Sequence, residues 1–322
     1  MKKIFFLIAL NIISIALFGQ INNETTFSES EIILKTSTGD IYGLLTIPNN
    51  LKKTPIVLII AGSGPTDRDG NSPINLHTNA YKMLSEELAI NGISALRFDK
   101  RGIGISKSAM TKESDLRFET YINDVVDWIS LLKSDKRFSK IIILGHSEGS
   151  LIGMIAANQT KISGFISIAG VGNTADKVLQ EQLINKLPPQ LLNESNKILD
   201  SLKLGKTVKN VNPYLFSIYR PSVQPYMISW IKYNPVKEIS KLKIPTLIIQ
   251  GTSDIQVKID NANLLSASKP DAKLVIIENM NHILKESSID IQENMATYNN
   301  PDLPLKSELS YKIIDFIKGI TK

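Results

Sequence analysis

Cysteine is absent from this 322-residue chain. That excludes disulfides, thiolate metal sites, a cysteine nucleophile and lipoprotein acylation, so any covalent catalysis must use another side chain. Histidine is scarce, with only His77, His146 and His282. Basic residues outnumber acidic ones, for a formal net charge of +6, yet they never run beyond pairs such as Lys52-Lys53 and Lys100-Arg101. No aromatic-interleaved basic stripe is present. A nucleic-acid footprint needs clustered charge rather than a high total, so no nucleic-acid partner is expected. There is no internal repeat, low-complexity tract or metal-ligand cluster. The Gly102-Ile103-Gly104 turn lacks the third glycine of a dinucleotide fingerprint, and no cofactor is expected.

Hydrophobic residues make up 43% of the chain and charged residues 21%, an ordinary globular composition sufficient for one large domain with a small insertion. Met1-Lys2-Lys3 precedes an apolar run from Ile4 to Phe18 that only Asn11 and Ser14 interrupt. A short basic start and a run of this length have the layout of a secretory signal peptide. Gly19 offers a small residue for cleavage, although Leu17 fits a small-x-small site poorly. The run falls short of the ~20 residues of a comfortable membrane span. The expectation is a leader over residues 1–20, an exported (periplasmic or secreted) body and no stable membrane span after cleavage. The alternative is an uncleaved N-terminal anchor.

Residues 31–36 and 41–47 pattern as two strands around Ser37-Thr38-Gly39-Asp40, which is turn chemistry, and so as an antiparallel hairpin. After Pro55, short β-branched runs alternate with helical patterns. The runs are Ile56–Ile60, Ser94–Phe98, Ile141–Leu144, Gly164–Ile168, Thr246–Ile249 and Lys273–Ile277. Apolar runs without alternation belong to strands covered on both faces. Tyr81, Leu84 and Leu88 fall at helical spacing, as do Tyr121, Ile122, Val125, Val126, Ile129 and Leu132, and the terminal Tyr311, Ile314, Phe316 and Ile317. This alternation predicts an α/β open sheet, mostly parallel and flanked by helices, over residues 21–172 and 241–322. Residues 173–240 hold helical patches broken by prolines and no strand-like run. That is too long for a simple connection and reads as a helical lid insertion.

Gly145-His146-Ser147-Glu148-Gly149 directly follows a predicted strand and opens a helical segment, the context in which G-x-S-x-G presents a nucleophile on a sharp turn. Ser147 needs a base. His146 sits on the turn itself, its side chain directed away from the attacking oxygen, and His77 precedes a helix as a solvated or structural residue. His282, in the loop after the last strand, is where open α/β sheets assemble their sites. Asp254, one strand earlier, is the acid that would orient it. Asp176 and Asp200 fall in the insertion, Asp260 in a helix, and Asp271 on the wrong edge of the sheet. Backbone N–H groups of Glu148 and Ser63, with Gly62 as the alternative to Ser63, are the expected oxyanion donors.

With these residues in place the chain resembles the α/β-hydrolase superfamily over nearly all of residues 30–320. It is similar to a bacterial carboxylesterase group related to serine-aminopeptidase-like and acyl-CoA thioesterase-like hydrolases. The resemblance lies in Gly62-Ser63-Gly64-Pro65-Thr66-Asp67-Arg68-Asp69-Gly70, in Asp99-Lys100-Arg101-Gly102-Ile103-Gly104-Ile105-Ser106 and in the Ser147 pentapeptide. Ala61 departs from it, standing where many members carry a histidine, and Lys100 replaces a glutamine or similar residue. The resemblance implies hydrolysis of a small-molecule carboxylic ester through an acyl-enzyme. The alternatives are an aminopeptidase or amidase, for which Glu181, Glu194, Asp200 or Glu148 would have to hold the substrate amine, and a non-catalytic binding module.

Overall fold

A computed structural model describes residues 26–321; the leader expected over residues 1–20 lies outside them. The N-terminal hairpin pairs β1 (Phe27–Thr36) with β2 (Gly39–Pro48), from Phe27↔Pro48 to Thr36↔Gly39. Both strands run longer than the patterning predicts. Gly39 closes the turn at φ 141°, where an added Cβ would lie 2.9 Å from Ala109 Cα.

Six further strands follow: β3 (Thr54–Ile60), β4 (Ser94–Phe98), β5 (Phe138–His146), β6 (Gly164–Ile168), β7 (Thr246–Gly251) and β8 (Lys273–Ile277). They form one sheet in the order β1-β2-β4-β3-β5-β6-β7-β8. Only β2 runs against the rest.

The pleat sends alternate side chains to opposite faces, and both faces are covered. Ile56, Leu58 and Ile60 of β3 pack with Trp128 and Ile129 of α2 (Phe118–Ser134) and with Leu151 and Ile152 of α3 (Glu148–Gln159). Val57 and Ile59 pack instead with Leu84 and Leu88 of α1 (Ala80–Ile90) and with the C-terminal helix, Ser307–Thr321. That helix corrects one expectation: Tyr311 is 65% exposed, and the buried stripe is Leu309, Ile313, Phe316 and Ile317. Ile313 and Ile317 are one turn apart and fix the face, whereas Tyr311, two residues from Ile313, falls on the opposite side.

Between β6 and β7 lie only helices: α4 (Ala175–Leu183), α5 (Pro189–Lys203), α6 (Phe216–Tyr219), α7 (Gln224–Ile231) and α8 (Pro235–Ser240), with a 3₁₀ turn at Pro213–Leu215. The prolines that interrupt the sequence pattern here mostly start helices rather than break them. Pro189 and Pro235 take first positions, where no N–H is needed. The segment buries its own cluster, Leu183, Ile198, Leu199, Leu202, Leu215, Tyr219 and Met227. No described helix is long and apolar enough to cross a membrane.

Candidate active site

Ser147 joins β5 to α3 at φ 53°, ψ −120°, a strained conformation for a residue with a side chain, costing roughly 1–3 kcal/mol. The flanking glycines are steric requirements. A Cβ on Gly145 would stand 2.3 Å from Gly149 O, and one on Gly149 would stand 2.3 Å from Ile60 O. The turn is anchored by Ser147 N–H donating to Ile168 O at 2.9 Å. Glu148 is the first residue of α3, so its N–H has no acceptor within the helix.

Asp254 and His282 meet across the loops after β7 and β8. His282 Nδ1 lies 2.8 Å from Asp254 Oδ2. The other carboxylate oxygen accepts the N–H groups of Gln256 and Val257, each at 2.8 Å, and Gln250 Nε2 donates to Oδ2 at 3.0 Å. Burial pushes the Asp254 carboxyl up, but His282 and these N–H donors outweigh it and the net shift is downward, favouring the ionised form. The two loops touch backbone to backbone. A Cβ on Gly251 would be 2.0 Å from Met280 O, and Ser253 N–H donates to that same oxygen. With Nδ1–H given to the carboxylate, Nε2 is the nitrogen available to a serine. Ser147 and His282 line one cavity, but no hydrogen bond joins the hydroxyl to the imidazole among the described contacts.

The competing carboxylates are elsewhere. Asp176 pairs with Lys203 at 3.1 Å in the insertion, Asp260 sits in the helix Ile259–Ser268, and Asp271 pairs with Lys269. His77 is exposed.

His146, the residue before Ser147, is buried in a bridge between Tyr81 and the His282 loop. Its Nε2 lies 2.8 Å from the His282 carbonyl, which can only accept, so Nε2 carries the proton and Nδ1 accepts from Tyr81 Oη at 2.8 Å. Tyr81 Oη accepts in turn from Gly62 N–H at 3.3 Å. Burial, then the neighbouring His282, hold His146 down to about 3, so the ring is neutral. One hydrogen-bonded chain thus ties the loop after β3 to the loop that carries His282.

Lys100, one of the two departures from the resemblance, braces the first loop, which has no histidine at position 61. Lys100 Nζ donates to Gly62 O at 2.5 Å and lies 3.4 Å from Glu148 Oε2, both side chains being buried. A trans peptide points its N–H opposite to its C=O. Holding Gly62 O therefore directs the N–H of Ser63 away from Lys100. Tyr226 of α7 donates to the other Glu148 oxygen, so the cation that Glu148 holds is the chain's own Lys100. The motif loops also lock each other: Asp99 accepts from Arg68 Nη2 at 2.9 Å and from Ile105 N–H at 3.1 Å, and a Cβ on Gly104 would be 2.6 Å from the Asp99 carboxylate. Tyr81 and Gln250 escaped the sequence reading. A glutamine inside the apolar run of β7 is a signal for a buried partner; Tyr81 reads only as a core position.

Two cavities meet at Ser147 and Ser63. One, of about 100 Å³, is bounded by His282, Gln256, Tyr298, Thr66 and Thr78. The other, of about 570 Å³, runs under the insertion past Val178, Leu179, Tyr226, Met227 and Trp230. Glu181, Glu194 and Asp200 line neither.

The family model described as "Serine aminopeptidase, S33" matches residues 74–227. Esterase EstD of Thermotoga maritima is 25% identical over 274 residues, 80% of this chain, and the match spans 60% of the esterase's own length. Monoglyceride lipase of Rattus norvegicus is 24% identical over 257 residues, covering 75% of this chain and 80% of the lipase. Among solved structures, the alpha/beta hydrolase GrgF of Penicillium sp. superposes with a TM-score of 0.61 at 16% identity, over 91% of this chain and 99% of GrgF. Est1E of Butyrivibrio proteoclasticus gives 0.57 at 17% identity, over 89% and 99%.

Proposed function

We propose that this chain, which has the α/β-hydrolase fold and is similar to esterases and lipases, hydrolyses carboxylic esters through an acyl-enzyme on Ser147. The observation that carries this reading is the buried Asp254–His282 pair at the C-terminal edge of the sheet, in one cavity with a serine held at positive φ. His282 Nε2 takes the proton of Ser147 as Oγ bonds the ester carbon. The carbonyl oxygen becomes an oxyanion that the N–H groups of Ser63 and Glu148 stabilise, as donors fixed by the backbone rather than by a mobile side chain. His282 then gives its proton to the departing alkoxide, and the bond to the alcohol breaks. Water, deprotonated by the same imidazole, attacks the acyl-enzyme and releases the acid. Asp254 holds the tautomer and stabilises the imidazolium. The helical insertion acts as a lid over the larger cavity.

Two features favour esters over the amide-cleaving alternative. Glu148 is already paired with Lys100, and the insertion carboxylates Glu181, Glu194 and Asp200 do not reach the cavities. The test is acid release from simple methyl esters, beside aminoacyl p-nitroanilides and phosphonate labelling. Ester turnover and label, both absent in Ser147→Ala, are the expected result. Anilide turnover without ester turnover would assign the site to peptidase chemistry, and silence with no label at Ser147 would make it a binding module.

A further inference from the structure

One side chain of the insertion makes a polar contact with the residue after Ser147. Tyr226 of α7 is buried in the main core, whereas its neighbour Met227 packs in the insertion's own cluster. The Tyr226 hydroxyl lies 2.5 Å from Glu148 Oε1. Burial, and then the Glu148 charge, push the phenol well above its ordinary range, so the hydroxyl keeps its proton and donates. The core also fixes where this residue stands. Phe118 N–H, at the start of α2, donates to Ser229 Oγ at 2.7 Å, and that hydroxyl donates to Tyr226 O at 2.6 Å. The rings of Tyr121 and Phe118 pack against the Tyr226 ring, with centroids 5.7 and 6.0 Å away.

The other Glu148 oxygen faces Lys100, and there the distances run against simple charge attraction. An ammonium–carboxylate hydrogen bond normally closes to ~2.7–2.9 Å. Lys100 Nζ instead stands 3.4 Å from Glu148 Oε2 and 2.5 Å from the uncharged Gly62 O. Its ammonium also lies 5.1 Å from the centroid of the Tyr121 ring. Resting on the ester-hydrolase reading, we propose that Tyr226 is a positioning residue for the oxyanion hole: by donating to Glu148 it leaves Lys100 on Gly62 O, which aims the Ser63 N–H. The cation leans toward the carbonyl because the carboxylate is already served from the insertion.

Without that hydroxyl, Glu148 Oε1 is a buried carboxylate oxygen with no donor, a costly state. The donor at hand is the Lys100 ammonium. Lys100 then closes on Glu148 and releases Gly62 O, and the Gly62–Ser63 peptide loses the contact that sets its plane. The effect falls on the transition state, because the Ser63 N–H matters most once charge develops on the carbonyl oxygen. In this arrangement the insertion takes part in the chemistry without touching the reacting atoms, and its contribution reads in kcat rather than in KM.

Tyr226→Phe tests this, since it keeps the ring, which also lines the larger cavity, and removes only the hydroxyl. With methyl butanoate, kcat should fall about tenfold while KM stays within about twofold, a part of the ~10²–10³ lost with a whole oxyanion donor. Inhibition by a trifluoromethyl ketone, whose adduct on Ser147 sets an oxyanion in the hole, should weaken by about the same factor. In a Glu148→Gln background no carboxylate pulls on Lys100, so adding Tyr226→Phe should change kcat by less than about twofold. That pair also carries the test if circular dichroism shows the single variant unfolded. Unchanged kcat, a rise in KM alone, or the full tenfold loss persisting in the Glu148→Gln background would overturn the proposal and leave ester hydrolysis standing. No ester turnover and no phosphonate label at Ser147 in the unaltered chain would instead remove the ester reading beneath it.

Discussion

The edge of the sheet and the insertion above it are built by different means. At the edge, backbone meets backbone: Gly145 against Gly149, Gly149 against Ile60 and Gly251 against Met280, at separations that admit no Cβ. The insertion has its own apolar cluster and reaches Ser147 through side chains such as Val178, Tyr226 and Met227. Positions held by backbone cannot drift when a side chain changes. A wall made of side chains changes with each of them. The first region is suited to fixed chemistry and the second to adjustable preference, and substitutions should sort accordingly.

The largest effects should come from the edge. Ser147→Ala is expected to lower kcat by roughly five to six orders of magnitude, and Asp254→Asn by about 10⁴ through the wrong imidazole tautomer. Steady-state kinetics, with circular dichroism to verify folding, check both. A fall of only a few-fold in either would place the chemistry elsewhere.

Lys100→Met sharpens the comparison, because Lys100 serves the edge by a side chain. Loss of its hold on Gly62 O should lower kcat by about 10²-fold with little change in KM. It also leaves Glu148 buried without its cation, at a cost of about 3–5 kcal/mol in denaturant unfolding. Adding Glu148→Gln should restore much of the stability and none of the rate. Recovery of both together would reduce Lys100 to a packing role.

The His146 bridge should register in pH. Its pKa is lowered from 6.5 to about 3 in the folded chain, so the unfolded chain takes up the proton first. The stability it contributes is fully present above pH ~6.5 and is lost as pH falls toward about 3, with a slope of at most about 1.4 kcal/mol per unit. Urea titrations across that window should show a shallower acid loss in His146→Gln, and an unchanged slope would contradict the bridge. Asp254, with its carboxyl held below the usual range, adds a loss that begins as pH falls below the ordinary carboxylate value of ~3.9. The smallest effects should be in the insertion surface. Glu181→Gln and Asp200→Asn should leave activity within about twofold and stability within about 0.5 kcal/mol.

What could be read from the chain alone follows the same division. Strand runs and the elbow glycines are local patterns, and the fold preserves them; Asp254 and His282, read from their places after successive strands, lie 2.8 Å apart. On the last helix Tyr311 and Ile314 mimic an apolar stripe with Phe316 and Ile317; packing against the sheet buries Leu309 and Ile313 in their place. The chain Gly62–Tyr81–His146–His282 joins segments up to 220 residues apart, and nothing in the spacing of such residues announces a hydrogen bond. Lys100 stood out as a departure from the resemblance, but its use became clear only with Gly62 O beside it. The two cavities that share Ser63 and Ser147 are lined from segments far apart in the chain, so they exist only in three dimensions.

Residues 169–245 enter and leave the sheet at neighbouring strands, β6 and β7. A parallel crossover needs only a dozen or more residues, and lengthening one from roughly twenty to about eighty is two doublings, a chain-entropy cost of about 1 kcal/mol. Length can thus change within it at little cost in chain entropy, but not everywhere alike, because Tyr226, Ile239 and Leu242 are buried in the main core. A descendant could lengthen or trim the part before Tyr226 and acquire a new diet without relearning its chemistry.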